Sequence, residues 1–421
     1  MRTIRAGAAE IDITPDFEVE LCGFAARVQP AVGVLEPIYA RALYLDDAAE
    51  KLLWIVCDVI ALPADLVEGF RAWCAVELGL AARQVLLCAT HTHSAPATID
   101  LTAAGKRNER FVALLTEKLK EAAKRAIEAA VECEVVCAAA PLDLAMDRRR
   151  QPSSHVDPLV WTVGFVRADG AYHAVAINYA MHPVALGHVE RRISPDWCGA
   201  AASVLSMTLP GKPVVMVTNG AAGNINPPEQ GIDAGRVRGY GRAVAETAAR
   251  ALAGAKPHAA PLAVRSEIVS LPLDVLDEAG IDGAADAFIA LLPADHLWKG
   301  LIDHAANTWR VEMKRTIAEG GGKEAPIEIQ AARIGELRII AVNGELFSRF
   351  TDELRKRTTE KLFVIGYANS AFGYIPTRAA YAEGGYETDQ AHFFYNSFRP
   401  KPGGLEMLVD RAVEVVKELG L

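Results

Sequence analysis

Two histidines one residue apart, His91 and His93, stand in "LLCATHTHSAPA" (87–98), directly after an apolar run. A third, His182, follows "HAVAINYA", and a glutamate, Glu345, follows "LRIIAVNG". Asn224 and Asn226 lie in a Gly- and Pro-bearing loop after "PVVMVTNG". Neutral imidazoles and a carboxylate are donors that zinc accepts in a catalytic site, where a position stays open for water or substrate. Each residue also has a plainer use. His-x-His pairs arise by chance, and His182 suits a hydrogen-bonded core or loop position. Glu345 is placed to open the helical stretch "LFSRFTDELRKRT", where the helix dipole favours an acid. The asparagines are natural turn formers. Their joint occurrence at the ends of apolar runs is what favours a metal site.

Other chemistries find no support. "HTHSAP" lacks the Asp-His that would complete a dinuclear H-x-H-x-D-H site. There is no G-x-S-x-G elbow, no P-loop and no clean G-x-G-x-x-G. The remaining histidines (155, 173, 188, 258, 296, 304 and 392) fall in polar or helical contexts and are expected at the surface.

These residues must be held by a scaffold, and the 421-residue chain has material for one, with 51% hydrophobic and 23% charged residues. "ARALYLDD", "KLLWIVCDVIAL" and "QVLLCAT" read as buried strands, and "PADLVEGFRAWCAVELGL" and "NERFVALLTEKLKEAAKRAIEAAV" as helices. "CEVVCAAAPLDLA" reads as a further strand, and "VDPLVWTVGFVRADGAYHAVAINYAMHP" as a hairpin turned at 168–170. Helix, strand and helix signals follow to about residue 253, then a surface connection over 254–262 and a mainly helical segment at about 277–318. "EGGGKEAP" reads as flexible, and the last quarter returns to strands with helices after each. Alternation of this kind predicts an α/β fold with parallel pairings. The expectation is a single domain over 1–421, with mixed β-sheets flanked by helices.

A net charge of -9 argues against nucleic acid or an anionic membrane as the main partner. A small-molecule substrate is expected instead. The seven cysteines are odd in number and scattered, which suits reduced thiols and a cytoplasmic location. No run approaches 18 uncharged apolar residues, and "MRTIRAGAAEIDITP" reaches Glu10 and Asp12 before any apolar core. Neither a membrane span nor a cleavable signal is expected.

Taken in order, "AGAAEIDITP", "GFAARVQPAVGVLEPIYARAL", "LLCATHTHSAPA", "AINYAMHPVAL", "NGAAGNINPP" and "GYIPTRAAYAEGGYE" resemble the landmarks of the neutral (non-lysosomal) ceramidases, catalytic domain. The resemblance runs from about residue 5 to 390. It implies one catalytic zinc held by His91, His182, Glu345 and Tyr374. It further implies an acid/base or oxyanion-side role for His93, a hydrogen bond from Tyr386 to the developing oxyanion, and an active-site place for Arg148. Asn224 and Asn226 fall in a loop facing substrate, and Asn226 stands where the family carries a serine. "EMLVDRAVEVVKELGL" reads as a closing helix, with no counterpart to the family's C-terminal β-sandwich. The reading is then a zinc-dependent hydrolase of an amide, acting on a small soluble substrate rather than ceramide. Two alternatives stay open: a ceramidase-like protein that only binds a small ligand, and an amidohydrolase-type barrel with Asp196 as closing ligand.

Overall fold

The apolar runs are strands buried on both faces. In the computed structural model, which describes residues 3–27 and 29–420, eight of them form one sheet. They are β1 (Ile4–Asp12), β2 (Tyr39–Asp46), β3 (Lys51–Cys57), β4 (Val85–Ala89), β5 (Val131–Pro141), β6 (Leu159–Val166), β7 (Tyr172–Tyr179) and β8 (Val214–Asn219). Their spatial order is β8-β7-β6-β5-β1-β2-β3-β4. A second sheet contains β9 (Leu262–Pro272), β10 (Glu324–Ile334), β11 (Leu337–Val342) and β12 (Leu362–Ile365), in that order.

Side chains of a strand alternate between faces, and both faces here are covered. β3 sends Leu53, Ile55 and Cys57 to one side and Leu52, Trp54 and Val56 to the other, all buried. On the inner side, Trp54, Leu86 and Phe165 of the large sheet share a core with Val264, Ile339 and Phe363 of the small one. On the outer side of the large sheet lie α1 (Ala64–Glu77), α2 (Glu109–Glu128), α3 (Asp196–Thr208) and α4 (Ala234–Ala253). α5 (Glu278–Ala290) and α6 (Lys299–Ala318) fold back on each other, tied by Arg310–Asp286 and Lys314–Asp282 pairs. α7 (Arg349–Arg357) and α11 (Gly404–Glu418) cover the outer side of the small sheet. Between them run three short helices, α8 (Arg378–Glu383), α9 (Tyr386–Asp389) and α10 (Ala391–Tyr395). The layers are helix, sheet, sheet, helix. The termini Met1, Arg2 and Leu421 of the expected 1–421 domain, and Val28 within it, lie outside the described residues.

The expected mixed α/β class and the helical segment near 277–318 match this architecture, but the expectation of parallel pairing does not. Among the long strands only β3–β4, β7–β8 and β11–β12 pair in parallel. The other neighbours are antiparallel; three of these pairs, β2–β3, β6–β7 and β10–β11, are hairpins whose connections are too short for a crossover. Asp47 closes the β2–β3 turn by accepting from the N–H groups of Ala49 and Glu50, at 3.0 and 2.8 Å. β9 was not expected; it has more exposed positions than the buried strands and pairs with β10 from Leu262↔Ile334 to Pro272↔Glu324. "EGGGKEAP" is not all flexible, since β10 begins at Glu324. The two-sheet sandwich also removes the barrel alternative. Asp196 is buried, and its carboxylate accepts from the N–H groups of Leu186 and Trp197.

One feature of the topology positions the site. β4 and β8 are opposite ends of the large sheet's order, yet they finish side by side. Asn219 Nδ2 donates to the Thr90 carbonyl at 3.3 Å. The segment leaving β12 stitches both ends, with Ala89 N–H donating to Tyr367 O (3.0 Å) and Gly366 N–H to Asn219 O (3.2 Å). The residues following β4, β7, β8, β11 and β12 therefore meet at one point. Among the described residues no helix is long and apolar enough to cross a membrane.

Candidate active site

His91 leaves β4 with a φ of +68°, a conformation that costs a non-glycine residue roughly 1–3 kcal/mol and persists only under strong local restraint. The restraint is visible. Its N–H donates to Val59 O at 3.0 Å, and its ring Nδ1 lies 2.7 Å from Ile60 O. His182 is held similarly, with Nδ1 2.7 Å from Ala222 O and 3.1 Å from Ile225 O. A carbonyl only accepts, so both rings donate a proton from Nδ1 and turn Nε2 inward. Such an orienting bond on the far nitrogen is the usual support of a metal-ligating histidine.

Glu345 faces these two nitrogens. Its Oε2 lies 3.2 Å from His182 Nε2 and 3.5 Å from His91 Nε2, and all three residues are buried. The hydroxyl of Tyr395 donates to Oε1, and that of Tyr367 reaches Oε2 at 3.4 Å. Tyr367 also stacks on the His91 ring, with centroids 3.9 Å apart. Burial pushes the His91 imidazole down to about 4, so it is neutral near pH 7. Burial alone would raise the Glu345 carboxyl, but His91, His182 and the Tyr395 hydrogen bond hold it below the usual range. Two inward-facing imidazole nitrogens and a carboxylate form a donor set able to hold a divalent metal ion.

His93 belongs to the same knot. Its Nε2 is 3.2 Å from that of His91, and the ligating atoms of His91, His93 and His182 all lie within 4.8 Å of one another. It differs in support: its Nδ1 is buried without a partner, and its ring rests edge-on against Phe24 at 4.9 Å. Arg27 donates to the His93 carbonyl at 2.6 Å. A Cβ on Gly23 would come within 2.5 Å of His93 Nδ1, so only glycine fits there. A Cβ on Gly223 would come within 2.4 Å of Glu345 O, which explains a glycine in "AAGNINPP".

Tyr374 lies beside Glu345 in a short parallel pairing, Glu345 N–H donating to Gly373 O at 2.8 Å. A cavity of about 120 Å³ is lined by His91, His93, Glu345, Tyr374, Tyr386 and Tyr395 among others. Arg148 sits with its guanidinium carbon 5.4 Å from the Tyr374 ring centre and 5.9 Å from that of Tyr386. It is clamped by Glu387 Oε1 (2.7 Å), Gly223 O (2.8 Å) and Asn226 Oδ1 (3.3 Å). Glu387 also takes a bond from Arg149 at 2.6 Å, so one buried carboxylate anchors two arginines.

Of the sequence-derived residues, His91, His93, Glu345, Tyr374 and Tyr386 line the cavity, while His182, Arg148 and the two asparagines lie outside its lining. Asn224 is buried, donates to Asp147 and accepts from Ser348 N–H at 2.8 Å. It braces the loop, and neither it nor Asn226 lines the cavity. Tyr367, Tyr395, Glu387 and Arg27 were not anticipated. Tyr367 follows the apolar run "LFVI", so the strand-end rule that found His91 extends to it. Tyr395 lies on α10 and carries no local signal. His392 departs from its expected surface position: it packs on Trp309 and Phe393, with ring centres 5.5 and 4.3 Å away.

Fold and cluster together define a class: an α/β two-sheet protein with a metal-type donor set where two sheet edges meet. The chain belongs to the neutral/alkaline non-lysosomal ceramidase family, whose N-terminal profile matches residues 4–214. That membership puts it among hydrolases of an amide bond. The neutral ceramidase from Pseudomonas aeruginosa has a similar fold, with a TM-score of 0.77 at 19% identity, covering 100% of this chain and 76% of that one. A ceramidase complexed with C2 is similar at a TM-score of 0.76, with 19% identity and coverage of 100% and 76%. No curated protein sequence gives a significant match.

Proposed function

We propose that the protein is a zinc-dependent hydrolase that cleaves an amide (N-acyl) bond with water, on a small soluble substrate rather than ceramide. The observation that carries this reading is the convergence of His91 Nε2, His182 Nε2 and Glu345 Oε2, with both histidine protons turned outward to carbonyls. His91, His182 and Glu345 would hold the ion, with Tyr374 completing the set. When bound, zinc supplies Lewis-acid activation of water and of a carbonyl oxygen.

The chain's own residues do the rest. His93, whose Nε2 is beside the ligand nitrogens and whose ring lines the cavity, is placed to accept a proton from the attacking water and pass it to the leaving amine. Tyr386 lines the cavity, and its hydroxyl would donate to the carbonyl oxygen as negative charge develops there. Arg148, fixed by Glu387, lies over Tyr374 and Tyr386 and lends them positive potential. The cavity of about 120 Å³ is well below the roughly 300–1,000 Å³ of drug-sized pockets, which supports a compact substrate.

The test is to measure metal content of the purified protein and then turnover of short N-acyl amines, with a ceramide in detergent alongside. One zinc per chain and turnover of a short amide are expected. A protein that takes up no zinc sinks the metal reading, and turnover of ceramide in preference to every short amide sinks the substrate reading.

A further inference from the structure

Of the three histidines in the knot, His91 and His182 each hold a backbone carbonyl through Nδ1, whereas His93 Nδ1 is buried without a partner. The His93 ring is nevertheless confined, and residues 23–27 confine it. A Cβ on Gly23 would meet the ring at 2.5 Å, and Phe24 stands edge-on to it with centroids 4.9 Å apart. Arg27 in turn packs on Phe24, its guanidinium carbon 4.9 Å from the ring centre.

Every guanidinium nitrogen of Arg27 donates to a main-chain carbonyl. Nη1 reaches His93 O at 2.6 Å, Nη2 reaches Gly187 O at 3.1 Å, and Nε reaches His188 O at 3.4 Å. These carbonyls belong to the two segments that leave β4 and β7 and carry His93 and His182. The segments also meet directly, His93 N–H donating to Pro183 O at 3.3 Å. The Arg27 side chain is buried, and burial lowers its pKa to about 10, which leaves it charged at pH 7. Glu190, the carboxylate whose charge it feels, is itself paired with Arg192 at 2.6 Å. Burying a cation among carbonyls rather than against a carboxylate costs free energy that a neutral side chain would not. What an arginine adds there is a rigid planar fork that holds several acceptors at once, through charge-assisted bonds about twice as strong as neutral ones.

We propose that Arg27 is a positioning residue for His93: through the His93 carbonyl and the Phe24 ring it holds the imidazole at the cavity wall. The inference rests on the reading of His93 as the proton-transfer group of the hydrolase. Arg27 acts through His93 and not through the metal donors, since His91 and His182 keep their own carbonyl locks. Loss of Arg27 therefore frees the His93 ring while the donor set survives.

Nuclear magnetic resonance of the metal-free protein, labelled with carbon-13 at histidine Cε1, reads the ring directly. His91→Gln, His93→Gln and His182→Gln assign the three signals that matter. In Arg27→Met the His93 signal should shift or broaden, while those of His91 and His182 stay in place. On a short N-acyl amine, kcat of that variant should fall about 10–100-fold, with zinc content and KM unchanged. Arg27→Lys keeps the cation but can hold one carbonyl in place of three, so it should restore only part of the rate. The same measurements are read on Arg27→Lys if Arg27→Met does not fold. An unmoved His93 signal in the folded variant, joint movement of all three signals with loss of zinc, or full recovery in Arg27→Lys would overturn the proposal. If the wild-type protein turns over no amide, the hydrolase reading fails, and the His93 signal alone decides whether Arg27 fixes that ring.

Discussion

The histidine wall of the cavity hangs from the ends of the large sheet, while the tyrosine wall is carried by residues 373–395, a run of short helices and turns. His91 and His182 are 3% and 0% exposed, whereas Tyr386 is 40% exposed. Each histidine is locked by backbone carbonyls on its far nitrogen; Tyr386 has no such lock and leans on the rings of Tyr374 and Phe394. The difference suits the two tasks proposed for them. Metal donors must be held to within about half an ångström, which packed strand ends can do. Groups that meet a substrate can sit on connecting segments and adjust.

Breaking the histidine wall should have the largest effect. His182→Ala should abolish both turnover and zinc uptake, read by metal analysis and rate on the same preparation. If zinc stays bound and only the rate falls, the two walls are not divided as described. Tyr386→Phe sharpens the contrast from the other side: kcat should drop by about 10²–10³-fold with zinc content unchanged. Loss of metal in that variant would merge the walls into one unit.

Glu387→Gln addresses what holds the tyrosine wall together. It removes the buried charge that anchors Arg148 and Arg149, and a loss of about 3 kcal/mol in urea unfolding at pH 7 is expected. Burial would raise the Glu387 carboxyl, but Arg148 and Arg149 bring it below the usual glutamate range. A depressed folded-state pKa gives stability that is full above the unfolded value, about 4.3, and lost as pH falls through the folded one. The gap between wild type and Glu387→Gln should therefore narrow as pH drops below about 4. The smallest effect is expected at the seam between the walls. Tyr395→Phe frees Oε1 of Glu345 and should weaken zinc by about 10–100-fold in a chelator competition.

Much of this site was legible before any fold was known, for a simple reason. An apolar run followed by His or Glu marks a strand end, and His91, His182 and Glu345 were all found that way. Pairing direction was not legible: "ARALYLDD" and "KLLWIVCDV" are buried on both faces, as parallel strands often are, yet they form a hairpin because the turn between them is short. β9 escaped because its more exposed residues, among them Arg265, Ser266 and Glu267, break the apolar signal. Asn224 and Asn226 were read as substrate contacts because a polar residue in a loop looks the same whether it faces a ligand or braces the chain. His392 was misplaced because burial between α6 and α10 is a tertiary contact.

Local pattern alone determined where most strands and helices lie, which residues face a core, and which side chains stand at strand ends. These follow from short-range periodicity, two residues for a strand and 3.6 for a helix. Only the tertiary structure decided that the far edges of the eight-stranded sheet meet, stitched by residues 366–369. That closure brings His91 and His182 against Glu345, and Tyr395 onto its carboxylate, across separations of tens to hundreds of residues. No local preference encodes such contacts, because they form only when two buried sheets pack and their edges must find hydrogen-bond partners.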